Sequence, residues 1–317
     1  MPERSFAAPI TPGCLLASML TLAAFRYRKI LAEVGGPIAK LVVSDTSVLG
    51  VRQFQANAYL RPDLIPWKNS SEVFSDADGT GTADSPMVAR YKGISEAIER
   101  WAHMALCASP EGARYGFDVD PSSNGMAAYP GLRQRQARSA ALWEAIERFN
   151  LLSWWEGRLD GTETETRWPG VHAVVIQSEL PGVTVILHRT SARGLHAYGH
   201  AAGPDFASAC ARASMELERH DYVVRQYLMV HSGGKDDFVP TAAHAIEHRS
   251  VYFAQTEGHE KFLERLRTKR PLPLAKPKLV FDGPVPGPWT KYADVWRVVY
   301  EPPSDRFLSS DPRYFFW

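Results

Sequence analysis

What this sequence has little of narrows the reading first. Cysteine is scarce: Cys14, Cys107 and Cys210 lie far apart, are odd in number and form no Cys-x-x-Cys pair. Such spacing supplies neither a disulfide framework nor a zinc knuckle. Each sits in an apolar stretch, so buried thiols and a reducing, cytoplasmic setting are expected. An excess of either charge is also missing. Lys and Arg total 36 against 35 Asp and Glu, a balance that gives no reason to expect nucleic acid or an anionic membrane as partner. Long apolar runs are absent too. Cys14 to Phe25 is apolar but falls short of the roughly 20 residues that span a bilayer. Arg4 is the one basic residue before it, so no signal peptide is expected and the run reads as a buried or amphipathic N-terminal helix.

What is present suits a globular chain: 45% of the 317 residues are hydrophobic and 22% charged, which is compatible with one domain over 1–317. Residues 14–34 read as helix, stopped by Gly35-Gly36-Pro37. Residues 51–59 alternate and read as a strand. Residues 69–86 and 109–135 are rich in turn formers and read as loops. Helices are expected at 87–107, 136–156 and 205–230. Strands are expected at 171–176, 183–188, 195–202 and 293–299, within a C-terminal portion, 290–317, of strand and aromatic tail. Helices and strands interleave without a regular βαβ count, so the fold class is α+β, or mixed α/β.

Two segments echo each other: Ser95-Glu-Ala-Ile-Glu-Arg-Trp101 and Trp143-Glu-Ala-Ile-Glu-Arg-Phe149, with a weaker echo at Ser214-Met-Glu-Leu-Glu-Arg-His220. Residues three and four apart share a helix face. Glu96, Glu99 and Arg100 therefore make one stripe, and Glu144, Glu147 and Arg148 another. A lone copy of such a stripe is ordinarily a solvated face of weak ion pairs. Here the second stripe runs along a helix that is otherwise strongly apolar, where carboxylates are costly unless paired or bound to metal. Glutamates converging from several helices suit a hard, oxygen-seeking cation such as Mg²⁺, commonly shared with nucleotide phosphates.

At these residues the sequence resembles the YcaO family over most of its length. The first of the family's motifs is similar to Gly79-Thr-Gly81, Ala89 and Ser95 to Arg100. The second is similar to Ser123-Asn-Gly-Met-Ala-Ala128, Ala137, Glu144 to Arg148 and Trp154-Trp155. The third is similar to Gly199-His-Ala-Ala-Gly203, Ala209, Arg212-Ala213 and Glu216. The resemblance implies a YcaO-like fold and an ATP- and Mg²⁺-using enzyme. Such an enzyme phosphorylates a peptide backbone amide on the way to an azoline, thioamide or amidine. It implies Mg²⁺ ligands at Glu96, Glu99, Glu144, Glu147 and Glu216. It implies ATP contacts at Thr21, Glu96, Asn124, Glu144 and Arg148, with no nucleophilic residue from the enzyme. Its substrate would be a ribosomally made precursor peptide, delivered by a leader-peptide-binding partner protein, and a homodimer is allowed.

The chain departs from the family in three places. Thr80 stands where Gly-Lys-Gly is common, Glu218, Arg219 and His220 follow Glu216, and no basic residue closely precedes Thr21. These departures keep a second reading open, a non-catalytic YcaO-like subunit that binds peptide or scaffolds a synthetase. A third comes from His244-Ala-Ile-Glu-His248, which fits an inverted zinc-protease signature with two histidine ligands and Glu247 as base. The tail Arg313-Tyr-Phe-Phe-Trp317 lacks the Pro-rich ending common in the family and is expected to pack against the core.

Overall fold

The computed structural model describes residues 22–66, 68, 70–131, 133–231, 244–269 and 272–317. The fold is α+β: three antiparallel sheets, with the long helices packed on them. The first sheet contains β1 (Ile38–Val48), β2 (Val51–Leu60) and β3 (Gly79–Ala83) in that order. Its opening hairpin turns at Leu49-Gly50, both with positive φ, the geometry whose twist matches that of antiparallel strands. Leu49 tolerates this conformation with its amide donating to Glu218 Oε1 at 3.0 Å. The second sheet has the order β4 (Met126–Tyr129), β10 (Asp294–Tyr300), β9 (Leu279–Pro284). The third has the order β5 (Gly161–Glu165), β6 (Val171–Ile176), β7 (Val183–Thr190), β8 (His196–Gly203).

The helices are α1 (Ala23–Arg26), α2 (Pro86–Cys107), α3 (Arg135–Trp155), α4 (Phe206–His231), α5 (Ala245–Phe253) and α6 (Thr256–Arg267). Helix α2 packs on β3 and β2, α4 on β8 and β7, and α3 on β10, β4 and β8. No helix among the described residues is long and apolar enough to cross a membrane. Cys210 is a buried free thiol as expected, whereas Cys107, also free, is only half-buried; desolvation raises the pKa of both. Cys14 lies outside the described residues.

The units β1–β3–α2 and β6–β8–α4 share one antiparallel order, and their last strand and helix repeat in constant register. Gly79 corresponds to Gly199, Thr80 to His200, Ala89 to Ala209, Gly93 to Ala213 and Glu96 to Glu216. Sterics explain the paired glycines. A Cβ on Gly79 would lie 2.2 Å from Gly93 O and 2.3 Å from Ala97 N; one on Gly199 would lie 2.2 Å from both Ala213 O and Leu217 N. Strand backbone thus rides directly on helix backbone in both units.

Several expectations change here. The helix expected over 14–34 does not run to Gly35: within the described part it covers Ala23–Arg26, turns, and resumes as a 3₁₀ turn at Ala32–Val34. The Ile38 amide donates to Ile30 O at 3.0 Å, so the chain is already doubling back to open β1. Strands β3 and β4 lie inside the stretches read as loops, and β5, β9 and α6 were not expected. Small residues build β3, Gly-Thr-Gly-Thr-Ala, because helix backbone lies against it, and they leave no apolar alternation to read.

The third sheet also carries a buried imidazole. His188 on β7 is 5% exposed and its Nε2 meets no partner. Burial, reinforced by His259, His172 and His196, lowers its pKa to about 3. The native chain therefore keeps His188 neutral, while the unfolded chain protonates it below about pH 6.5. Its contribution to stability is present above that value and is lost as pH falls. His188→Phe should gain about 2 kcal/mol at about pH 5 relative to its effect at about pH 8, read as urea midpoints of both proteins at the two pH values. An equal effect at both would show that His188 titrates normally.

Candidate active site

The three long helices present their acidic stripes to one cavity of about 860 Å³. From α2 come Glu96 and Glu99, from α3 Glu144 and Glu147, and from α4 Glu216; Asn124, in the loop before β4, lines it as well. The close strand–helix contacts fix two of these carboxylates. The Thr80 amide donates to Glu96 Oε2 at 3.0 Å, and the corresponding His200 amide donates to Glu216 Oε2 at 3.3 Å. Asn124 is braced by Ser122, whose Oγ accepts from its amide and its side chain, both at 3.2 Å.

Two groups of carboxylates are distinguishable. In one, Glu99 and Glu144 face each other with Glu96 nearby. No described residue hydrogen-bonds the carboxylate of Glu99 or Glu144. Burial first and neighbouring carboxylates second (Glu96 for Glu99, Glu99 for Glu144) push both pKa values well above the usual range. Like charges confined together disfavour ionisation in this way. In the other group, His200 joins Glu147 and Glu216. Its Nδ1–H donates to Glu147 Oε1 at 2.7 Å, with Glu216 Oε2 at 3.4 Å. Burial alone would lower the imidazole pKa, but Glu216 and Glu147 outweigh it and raise it to about 9.

Basic residues line the same cavity beside the carboxylates: Lys92 and Arg100 on α2, and Arg212 and Arg219 on α4. Lys92 Nζ donates to Thr82 O at 2.9 Å, Arg212 to Ala202 O at 3.1 Å, and Arg219 to Thr80 O at 3.2 Å and Thr82 Oγ1 at 3.0 Å. Among the described residues no carboxylate comes within ion-pair distance of these four. Burial, with Arg219 and Arg212 close by, lowers the Lys92 pKa. Acidic and basic side chains thus share one space.

Of the residues expected at the site, the structure brings together Glu96, Glu99, Asn124, Glu144, Glu147 and Glu216. Thr21 lies outside the described residues. Arg148 is a correction. Its guanidinium does not line the cavity but turns to buried Asp120, with Nη2 2.9 Å from Oδ1 and Nε also on the carboxylate. It is packed between Phe307 and Phe316, 4.7 and 4.3 Å from the ring centres. The reach of the arginine side chain takes it off the stripe that its backbone position shares with Glu144. The residues after Glu216 also divide. Glu218 turns away to the Leu49 amide and to Arg189, at 2.8 and 2.9 Å, while Arg219 and His220 line the cavity.

The tail is both core and wall. Tyr314, Phe315 and Phe316 are buried as expected, but Trp317 borders the cavity and stacks on His220, ring centres 4.9 Å apart. Arg249, 2% exposed, fixes this course by donating to the carbonyls of Phe307, Ser309, Asp311 and Phe316. In the His-x-x-Glu-His segment, His244 is the residue before α5. Glu247 is buried, accepting from the Ser71 hydroxyl and, at 3.4 Å, from the Glu72 amide. Among the described residues this segment gathers no three metal-ligating atoms.

The sequence reading missed His200, Lys92, Arg219 and Trp317 as cavity residues. The third echo did hold a signal for Arg219, which follows Glu216 at the spacing by which Glu99 follows Glu96. Comparison with protein-family models, with curated proteins and with solved structures finds no match to this chain.

Proposed function

We propose that the cavity binds ATP with Mg²⁺ and uses it to activate a backbone amide of a ribosomally made peptide. One observation carries this reading: Glu99 and Glu144 lie together without a described hydrogen-bond donor, in a cavity also lined by Lys92, Arg100, Arg212 and Arg219, none of which is within ion-pair distance of a carboxylate among the described residues. Arg100 and Arg212 offset the charge of Glu99 and Glu144 only in part, and a cation-bearing polyphosphate would supply counter-charge to the acidic and the basic groups alike. The donor set fits, since Mg²⁺ takes carboxylate oxygens and shares them with phosphates. Glu96, Glu99 and Glu144 would hold the cation, with Glu147 and Glu216 beside them. Arg100, Arg212, Arg219 and Lys92 would orient the phosphates, and Asn124 would line the nucleotide side. When bound, the nucleotide supplies an electrophilic phosphorus for the amide oxygen. The chain's own contribution is positioning and charge neutralisation, as in other phosphoryl transfers. The nucleophile comes from the peptide or a small co-substrate. A leader-binding partner would bring the peptide, and azoline, thioamide and amidine products share this activation step.

Ligand binding that favours the native chain raises its stability by about 2.7 kcal/mol at a hundredfold excess over Kd. Thermal melts with Mg·ATP, with ATP plus EDTA, and with neither should show a rise only in the first. Unchanged melting at millimolar Mg·ATP would count decisively against a nucleotide site. Incubation with a candidate precursor peptide then reads the chemistry by mass: loss of one water for cyclodehydration, exchange of oxygen for sulfur for thioamidation.

A further inference from the structure

We propose that Glu147, His200 and Glu216 form a site for one first-row transition-metal dication, of the manganese or zinc type, bound through an imidazole nitrogen and two carboxylates. It deepens the nucleotide reading by placing a second kind of ion in the same cavity, on ligands other than Glu99 and Glu144. The three ligating atoms come from α3, β8 and α4 and all lie within 4.8 Å of one another. His200 Nδ1 is 2.7 Å from Glu147 Oε1 and 3.4 Å from Glu216 Oε2. Zinc–nitrogen and zinc–oxygen bonds of roughly 2.0–2.2 Å on a tetrahedron hold neighbouring ligand atoms about 3–3.5 Å apart. Small side-chain adjustments therefore suffice.

The ligands are also preset by contacts outside the trio. The Ala202 amide donates to Glu147 Oε2 at 3.3 Å, leaving Oε1 turned to the imidazole. The His200 ring lies nearly parallel to Phe316, 19° between planes and 6.1 Å between centres. Bracing of this sort orients ligands in metal sites. The internal repeat supplies the second argument. Glu96 and Glu216 are equivalent, each accepting the amide of its partner strand. Only the second unit places an imidazole there, where the first has Thr80. The nitrogen donor is thus added at one pole of a duplicated scaffold. Mg²⁺ favours oxygen ligands and retained waters, whereas imidazole suits zinc and other first-row transition metals.

The test is titration of the full chain, without nucleotide, with Mn²⁺, Zn²⁺ and Mg²⁺, followed by electron spin-echo spectroscopy of the Mn²⁺ form. One Mn²⁺ per chain should bind at least about tenfold more tightly than Mg²⁺ and show coupling to a directly bound nitrogen. His200→Gln should abolish the coupling and the preference. If His200→Gln does not fold, the wild-type spectrum decides alone. Absence of a tight Mn²⁺ site, or Mn²⁺ bound without nitrogen coupling, overturns the inference. Nitrogen-coupled Mn²⁺ in a chain that Mg·ATP does not stabilise would leave the inference standing and remove the nucleotide reading. Mg·ATP stabilisation without nitrogen coupling would do the reverse.

Discussion

Glu144→Gln should weaken Mg·ATP binding by at least about 10- to 100-fold, a loss typical even of outer-shell changes at metal sites, and should raise the melting temperature of the ligand-free chain. The two effects have one cause. Glu144 is held against Glu99 in a buried site that raises the pKa of both; the empty chain must take up a proton there or bear buried like charge, a cost that a neutral amide avoids, and the same change removes a cation ligand. Glutamine keeps the size of the side chain and its place on α3. Calorimetric titration with Mg·ATP and a melt of the empty protein, made on the same variant, decide the matter. Unchanged affinity would sink the assignment of Glu144 as a ligand. Lower stability with unchanged affinity would instead make it a structural ion-pair partner.

Glu147, the neighbour on the same stripe, behaves differently, although the sequence treats the two alike. Its carboxylate holds His200 and accepts the Ala202 amide. Glu147→Gln would weaken a buried charged contact as well as the metal site. Glu144 is therefore the cleaner position at which to separate binding from stability.

The second large effect is expected at Asp120. Asp120→Asn should cost about 3–5 kcal/mol, the range for breaking a buried ion pair by removing one partner. Asp120 and Arg148 are 3% and 6% exposed. Burial opposes ionisation of Asp120, but Arg148 overcomes it and keeps the carboxyl below its usual pKa. Without that carboxylate, the Arg148 charge stays buried between Phe307 and Phe316. Urea unfolding measures the loss, and the double variant Asp120→Asn with Arg148→Met should recover a large part of it. Arg148→Met alone should lower stability and leave Mg·ATP affinity nearly unchanged. The opposite pattern, retained stability with lost affinity, would restore Arg148 to the nucleotide.

The α+β class, the acidic helices and all five glutamates that line the cavity were legible because helix period and residue type act locally. Glu96 and Glu99 must share a face of α2 wherever that helix docks. Other features depend on encounters between distant segments. Strand β3 exists because α2 lies against its glycines, and no alternation betrays it. His200 becomes a site residue only where β8 passes α3, 53 positions from Glu147. Arg148 has the same local sequence context as Arg100, yet Asp120 draws it out of the cavity. Trp317 reaches His220 only through the anchoring of the tail by Arg249.

The contact of strand on helix at Gly79 and Gly199 has a consequence for any saturation-mutagenesis survey of this chain. Even alanine there would lift the strand from its helix, pulling the Thr80 or His200 amide from its glutamate in the same movement. Variants at these two positions would lose abundance and activity together, with no substitution that separates the phenotypes. Variants at Glu96 and Glu216 can separate them, because the side chain can change while the backbone contact remains. A survey scored for both abundance and activity would group the glycines with the core and the glutamates with the site, although each glycine and its glutamate belong to one small device.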